Sequence, residues 1–116
     1  MSRILIVEDE PLIGLMLADW LQELGHEPSE LAVSVDAAMG EIASHCPDAA
    51  ILDVTLGREL SYPIAERLVG LGIPFAFATG HGSDSLDSRF RDRPALSKPY
   101  DFAQVRSIVS ALTDTV

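Results

Sequence analysis

The chain has 116 residues, 47% of them hydrophobic, and a formal net charge of -10 at pH 7. This length suits one compact domain with a single core, and no apolar run approaches the ~18 residues that span a bilayer. An acidic chain is a poor partner for nucleic acid, whose binding depends on neutralising phosphates, so we expect a cytoplasmic globular domain with no nucleic-acid or membrane partner.

Short apolar runs alternate with longer amphipathic segments along the chain. The apolar runs predict four strands, and a more polar run predicts a fifth, giving strands at 4–7, 30–35, 49–52, 74–79 and 95–97. Helical spacing of apolar residues predicts helices over 11–24, 36–45 and 63–71, and a last helix that Asp101 caps. Glycine, serine and aspartate are frequent in 80–93, which predicts a loop or a weak, irregular fourth helix.

Strands that alternate with helices predict an α/β fold, in which a doubly wound parallel sheet is covered on both faces. The polar strand 30–35 belongs at an edge, which gives the five-stranded order 2-1-3-4-5 of flavodoxin-like folds. The first strand runs into Glu8, Asp9 and Glu10 instead of a glycine-rich turn. We therefore expect neither a P-loop nor a Rossmann nucleotide site.

Polar residues follow four of the predicted strands. In an open parallel sheet, ligands bind beyond the carboxyl ends of the strands. Taken singly, these residues have commoner structural roles: the solvated start of a helix, a turn former, a structural hydroxyl and a surface lysine. Their convergence on one edge of the sheet indicates a functional site composed of Glu8, Asp9, Asp53, Thr79 and Lys98.

The expected chemistry of this site is phosphoryl transfer with a magnesium ion. Carboxylates held close together repel one another, and a cation relieves the repulsion. A set of oxygen ligands suits Mg²⁺, whereas the sequence has no cysteines or histidines at a spacing that suits zinc. An aspartate can attack phosphorus to form an aspartyl phosphate. We therefore predict Asp53 as the phosphoacceptor, with Lys98 and Thr79 stabilising the charge of the transferred group.

The whole chain resembles the receiver domains of two-component response regulators. The resemblance rests on four motifs: ILIVEDEP at 4–11, AILDVTLG at 50–57, FATG at 77–80 and SKP at 97–99. It implies that the ligands of Mg²⁺ are Glu8, Asp9, Asp53 and the backbone carbonyl of Thr55. It also implies a cis peptide between Lys98 and Pro99, since the cis form costs little before proline.

The same resemblance implies the function of the chain. A sensor histidine kinase or a histidine phosphotransfer protein would donate the phosphoryl group to Asp53 in a two-component or phosphorelay pathway. The signal would pass to a downstream protein by phosphorylation-dependent binding or by phosphotransfer. The chain would catalyse only its own phosphorylation and dephosphorylation, so it would not be an enzyme in the usual sense. Because it ends after the last predicted helix, we expect a receiver domain over 1–116 that has no output domain.

Two features depart from the common receiver pattern. Ala95 stands where the family often has Tyr or Phe, and the segment 80–93 replaces a firm fourth helix. Both resemble a branch of mostly single-domain receivers with the motif Pro-Phe-x-Phe-Ala-Thr-Gly, here Pro74–Gly80. His81 is not the residue expected next in that branch, and it would flank the path of the water that hydrolyses the aspartyl phosphate. We predict that 80–93 becomes more ordered on phosphorylation.

Two other classes of protein share parts of this pattern. Phosphatases of the haloacid-dehalogenase type need a second aspartate two residues after the nucleophile, where this chain has Thr55. A pseudo-receiver would have the same fold but would never be phosphorylated and would serve only as an interaction module. All the signature positions are filled here, which favours a phosphorylated receiver, and labelling with acetyl phosphate and Mg²⁺ separates the two.

Overall fold

A computed structural model describes residues 2–80 and 86–114 of the chain. Its strands are β1 Arg3–Val7, β2 Glu27–Pro28, β3 Ala49–Asp53, β4 Thr55–Leu56, β5 Glu59–Leu60, β6 Phe75–Thr79 and β7 Ala95–Ser97. Its α-helices are α1 Pro11–Glu23, α2 Val35–His45, α3 Tyr62–Leu71 and α4 Phe102–Thr113. A 3-10 turn, Ser88–Phe90, lies between β6 and β7. No helix within these ranges is long and apolar enough to cross a membrane.

The main sheet is parallel, with the strand order β2-β1-β3-β6-β7. Strands β4 and β5 form a separate antiparallel pair, so the five strands of the main sheet follow the predicted order 2-1-3-4-5. Every residue of β3 and β6 is buried. Strands in the middle of a sheet that is covered on both faces have continuous apolar sequences, as these two do. The doubly wound α/β fold is confirmed.

Two hydrophobic clusters form the core, one on each face of the sheet. One joins the sheet to α2 and α3, and the other joins it to α1 and α4. In β1, Leu5 faces the first cluster and Ile6 the second, as the alternation of side chains along a strand requires. Helices therefore cover both faces and leave the carboxyl ends of the strands open.

The edge strand is not where the sequence predicted it. The predicted bounds 30–35 are wrong for this strand, since β2 is Glu27–Pro28 and residue 35 already begins α2. Within those bounds, Ala32 still pairs with Val7 in an isolated parallel bridge. The hydroxyl of Ser29 accepts a hydrogen bond of 3.0 Å from the backbone N–H of Ile6, which replaces a backbone acceptor and interrupts the pairing. Ser34 then caps α2 through its side chain. The edge position of the strand was predicted correctly.

The two segments predicted as irregular contain short regular elements. The stretch 54–62 includes the β4–β5 hairpin, in which Gly57, with φ of 60°, is the first of two connecting residues. A two-residue hairpin loop requires a positive φ at this position, which favours glycine. In 80–93, the described residues form the turn Ser88–Phe90. His81, for which a role was predicted, and the rest of 81–85 lie outside the described ranges. The ordering of 80–93 on phosphorylation stays a prediction.

Candidate functional site

The carboxyl ends of β1, β3, β6 and β7 meet at one edge of the sheet, where a cavity of about 730 Å³ opens. Glu8 lies buried beside this cavity, 2% exposed, and contacts Lys98. The structure thus brings together every residue that the sequence predicted here. The other five line the cavity: Asp9, Asp53, Thr55, Thr79 and Lys98.

Three carboxylates form the acidic part of the site. Glu8, Asp9 and Asp53 each offer one oxygen, and these oxygens lie within 4.8 Å of one another. Asp9 is held in place by the backbone N–H of Gly57, which donates a 2.8 Å hydrogen bond to its Oδ2. Since magnesium prefers a few carboxylate oxygens and retains water, the donor set fits this ion. Thr55, whose backbone carbonyl was predicted as a further ligand, lines the same cavity.

Lys98 is the basic part of the site. Its Nζ donates hydrogen bonds of 3.0 Å to Asp53 Oδ2 and 3.3 Å to Glu8 Oε2. Its backbone N–H donates to the carbonyl of Thr79 at 2.9 Å, so the pairing of β7 with β6 positions the side chain. The Lys98–Pro99 peptide is cis, as the resemblance implied.

The ionisation of the site reflects its burial. Burial and, to a smaller extent, the charge of Asp53 raise the pKa of Glu8 to about 7, against the opposing effect of Lys98. Burial also raises the pKa of Asp53, although the hydrogen bond from Lys98 lowers it in part. Burial alone would lower the pKa of Lys98, but the hydrogen bond and charge of Asp53 outweigh this and raise it. Lys98 alone therefore does not balance the negative charge of Glu8 and Asp53, and a bound cation would supply the missing positive charge.

Tyr62 and Arg91 line the cavity but were not predicted from the sequence as site residues. The hydroxyl of Tyr62 accepts a 2.9 Å hydrogen bond from the backbone N–H of Asp87, and its ring stacks on Phe90 at 5.6 Å. The arginine-rich run 89–93 was a signal in the sequence, but its spacing does not show which arginine faces the site.

Comparison with solved structures and curated relatives identifies the family of this chain. No family model matches the chain. A solution structure of SdrG from Sphingomonas melonis Fr1 matches with a TM-score of 0.85 and 50% identity, covering 97% of this chain and 96% of that one. A second SdrG structure, from Pseudomonas melonis Fr1 and described as BeF3-activated, matches with a TM-score of 0.82 and 50% identity, covering 96% and 95%.

Two further relatives are less similar. The receiver domain of the response regulator PhyR from Erythrobacter litoralis has a TM-score of 0.85 and 28% identity, with 96% of this chain and 88% of that one covered. The transcriptional regulatory protein PdtaR of Mycobacterium tuberculosis is 32% identical over 107 residues, covering 89% of this chain and 52% of PdtaR. The chain thus spans about half the length of the curated relatives it matches.

The class defined by this geometry is a flavodoxin-like α/β domain with an acidic cluster and a lysine at the carboxyl edge of its parallel sheet. The chain belongs to the receiver domains of response regulators, as the resemblance implied. Its placement in the Pro-Phe-x-Phe-Ala-Thr-Gly branch stays a prediction.

Proposed function

We propose that this receiver domain accepts a phosphoryl group on Asp53 and acts as a stand-alone response regulator in a two-component or phosphorelay pathway. The observation that carries the proposal is the environment of Asp53, which is 8% exposed, lines the open cavity and accepts a hydrogen bond from Lys98. A carboxylate placed in this way is within reach of a donor yet held beside a cation.

The proposed reaction uses the residues of the site as follows. A carboxylate oxygen of Asp53 attacks the phosphorus of a phosphohistidine, and the bond from phosphorus to the imidazole nitrogen breaks, with the electron pair going to the nitrogen. Lys98, which holds Asp53 at 3.0 Å, would then interact with the phosphoryl oxygens. The hydroxyl of Thr79, at the end of β6 and on the cavity wall, would donate a hydrogen bond to the same group.

Magnesium would be held by Glu8, Asp9, Asp53 and the carbonyl of Thr55. When bound, it supplies charge neutralisation for the phosphoryl oxygens. Two observations on the carboxylates support this assignment. Their oxygens lie within 4.8 Å of one another, and the pKa values of Glu8 and Asp53 are raised, so a nearby cation would stabilise the ionised forms.

The partners in this proposal are other signalling proteins of the cytoplasm. A sensor histidine kinase or a histidine phosphotransfer protein would act as donor, and a downstream protein would read the phosphorylated form or receive the phosphoryl group. SdrG, described in a BeF3-activated conformation, supports this view, because beryllofluoride mimics a phosphoryl group and SdrG is 50% identical to this chain. The chain would catalyse only its own phosphorylation and dephosphorylation.

Intact mass spectrometry after incubation with acetyl phosphate and Mg²⁺ tests the proposal. The wild-type protein should gain one phosphoryl mass, and Asp53→Asn should gain none. Asp48→Asn is a matched control, because Asp48 lies just before β3, at the opposite end from Asp53, and accepts from the backbone N–H of Arg3 at 2.8 Å. A folded wild-type protein that stays unlabelled would instead be a pseudo-receiver. Labelling that persists in Asp53→Asn would contradict the assignment of the phosphoacceptor.

A further inference from the structure

The segment after β6 carries three arginines in different surroundings. Arg89 forms ion pairs with Asp87 and Glu66. The guanidinium of Arg93 lies over the ring of Phe75, 4.7 Å from its centre. These two arginines have structural contacts that account for them.

Arg91 differs from its neighbours because it lines the cavity that also contains Asp53 and Lys98. Its Nε donates a 3.2 Å hydrogen bond to the carbonyl of Leu86, which fixes the orientation of the exposed side chain. In residues 2–80 and 86–114, no carboxylate lies within 4.0 Å of its guanidinium. The hydrogen bonds from Arg89 lower the pKa of Asp87, and the charge of Arg91 adds a smaller effect. The Nη groups of Arg91 form no ion pair within 4.0 Å among these residues and are available to a ligand in the cavity.

The charge of the cavity gives this cation a role. Asp9, Glu10 and Asp53 line the cavity, and Glu8 lies buried beside it. Asp87 also lines the cavity, but Arg89 forms an ion pair with it. Lys98 and a magnesium ion together would balance three of the other four carboxylates, so the site would still repel an anionic donor. Arg91 supplies the remaining positive charge. Guanidinium also binds phosphate oxygens in a planar, two-pronged geometry.

We propose that Arg91 is a donor-binding residue of this site, which contacts the phosphoryl oxygens of the incoming phosphate compound. This inference rests on the proposed function of Asp53 and deepens it. It assigns Arg91 to recognition of the donor, so its loss lowers the rate of encounter with an anionic phosphate and leaves the acidic cluster intact.

The test measures the second-order rate of phosphorylation by acetyl phosphate at saturating Mg²⁺, at low and at high salt. Arg91→Ala should lower this rate about three- to tenfold at low salt, and the difference should shrink at high salt, where the charge is screened. Arg91→Lys, which keeps the charge but not the planar group, should be intermediate. Arg93→Ala removes an equal charge two residues away and should remain close to wild type.

A second measurement separates donor binding from structural damage. Disruption of the site would weaken Mg²⁺ binding, whereas loss of a nearby positive charge should leave the affinity for Mg²⁺ unchanged or slightly higher, as measured by calorimetry. Equal labelling rates for Arg91→Ala and Arg93→Ala would overturn this inference and leave the phosphorylation of Asp53 standing. Absence of any labelling in the wild-type protein would overturn both.

Discussion

The side chains of Lys98 and Asp53 are joined by a hydrogen bond of 3.0 Å, from Nζ to Oδ2, although the residues are 45 positions apart in the chain. The same ammonium group lies 3.3 Å from the buried Glu8. Within the described ranges, Lys98 is the only basic residue whose side-chain nitrogen lies within 4.0 Å of the carboxylates of Glu8 and Asp53. In the metal-free protein, Lys98 therefore stabilises the acidic cluster.

Replacing Lys98 with alanine should accordingly destabilise the metal-free protein at neutral pH. The variant leaves two buried carboxylates without their partner, and we expect a loss of roughly 1–3 kcal/mol in the free energy of unfolding, less than for a fully buried pair because the lysine is partly exposed. Urea denaturation with a chelator measures the loss. Arg106→Ala, at an exposed position of α4, should change stability by no more than about 0.5 kcal/mol. Equal stability of the two variants would contradict the role of Lys98.

The raised pKa of Glu8 predicts how stability depends on pH. Its value is about 7 in the folded protein against an ordinary 4.5. Between these values the folded state binds more protons than the unfolded state, so stability should fall as the pH rises from 4.5 towards 7. We expect a loss of roughly 1–3 kcal/mol over this range. Asp53, whose pKa is also raised, acts in the same direction.

Urea denaturation across this pH range, with a chelator, measures the effect. Glu8→Gln should flatten the slope, because the variant has no carboxyl at this position to titrate. Added Mg²⁺ should stabilise the protein more at neutral than at acidic pH, since metal binding requires deprotonated ligands. A stability that rises steadily between these pH values in the chelated wild-type protein would refute the prediction.

Much of this fold and site could be predicted because the decisive signals are local. Strands β1, β3 and β6 lie inside a sheet that is covered on both faces, so burial alone explains their apolar sequences. Once these strands are placed, the parallel geometry brings the residues at their ends to one edge. For that reason the acidic cluster and Lys98 could be predicted from the sequence.

The features that escaped prediction depend on contacts between distant residues. The position of β2 is determined partly by the hydroxyl of Ser29, which takes a backbone place in the pairing with β1. The orientation of Arg91 depends on the turn Ser88–Phe90, which is held by the stacking of Phe90 on Tyr62. Neither contact leaves a periodic pattern in the sequence, so neither could be found from spacing.

Removing the hydroxyl group of Tyr100 and removing that of Tyr62 should have different effects on the stability of the protein. The hydroxyl of Tyr100 is buried and has no hydrogen-bond partner within the described ranges, whereas that of Tyr62 accepts from Asp87 at 2.9 Å. Burial, with the nearby charge of Glu8, raises the pKa of Tyr100 to about 12. Tyr100→Phe should therefore keep or raise stability, by up to about 1 kcal/mol, and Tyr62→Phe should lower it by about 1 kcal/mol. Thermal denaturation of the pair tests this, and a larger loss for Tyr100→Phe would show that its hydroxyl has a partner.

Phe90→Ala should loosen the segment around the 3-10 turn without unfolding the sheet. The ring of Phe90 is 4% exposed and contacts Tyr62 and Phe77, each at 5.6 Å between ring centres. The turn is not part of the sheet ladder, so its opening exposes little of the rest of the core. The total cost should therefore stay below the roughly 3–5 kcal/mol typical of removing a buried phenylalanine, because local opening limits it.

Amide hydrogen exchange followed by NMR distinguishes local from global loosening. In the wild-type protein, the backbone N–H of Phe90 donates to the carbonyl of Asp87 at 2.9 Å, and that of Arg93 donates to the carbonyl of Phe90 at 3.0 Å. In Phe90→Ala, the amides of residues 90 and 93 should exchange faster, while those of β1 and β3 keep their protection. Phe102→Ala is the matched control, because Phe102 contacts Trp20 on the opposite face of the sheet and should leave the exchange of this segment unchanged. If the amides of β1 and β3 accelerate as much as those of the turn, the segment unfolds with the whole domain, and it is then no independent element for phosphorylation to act on.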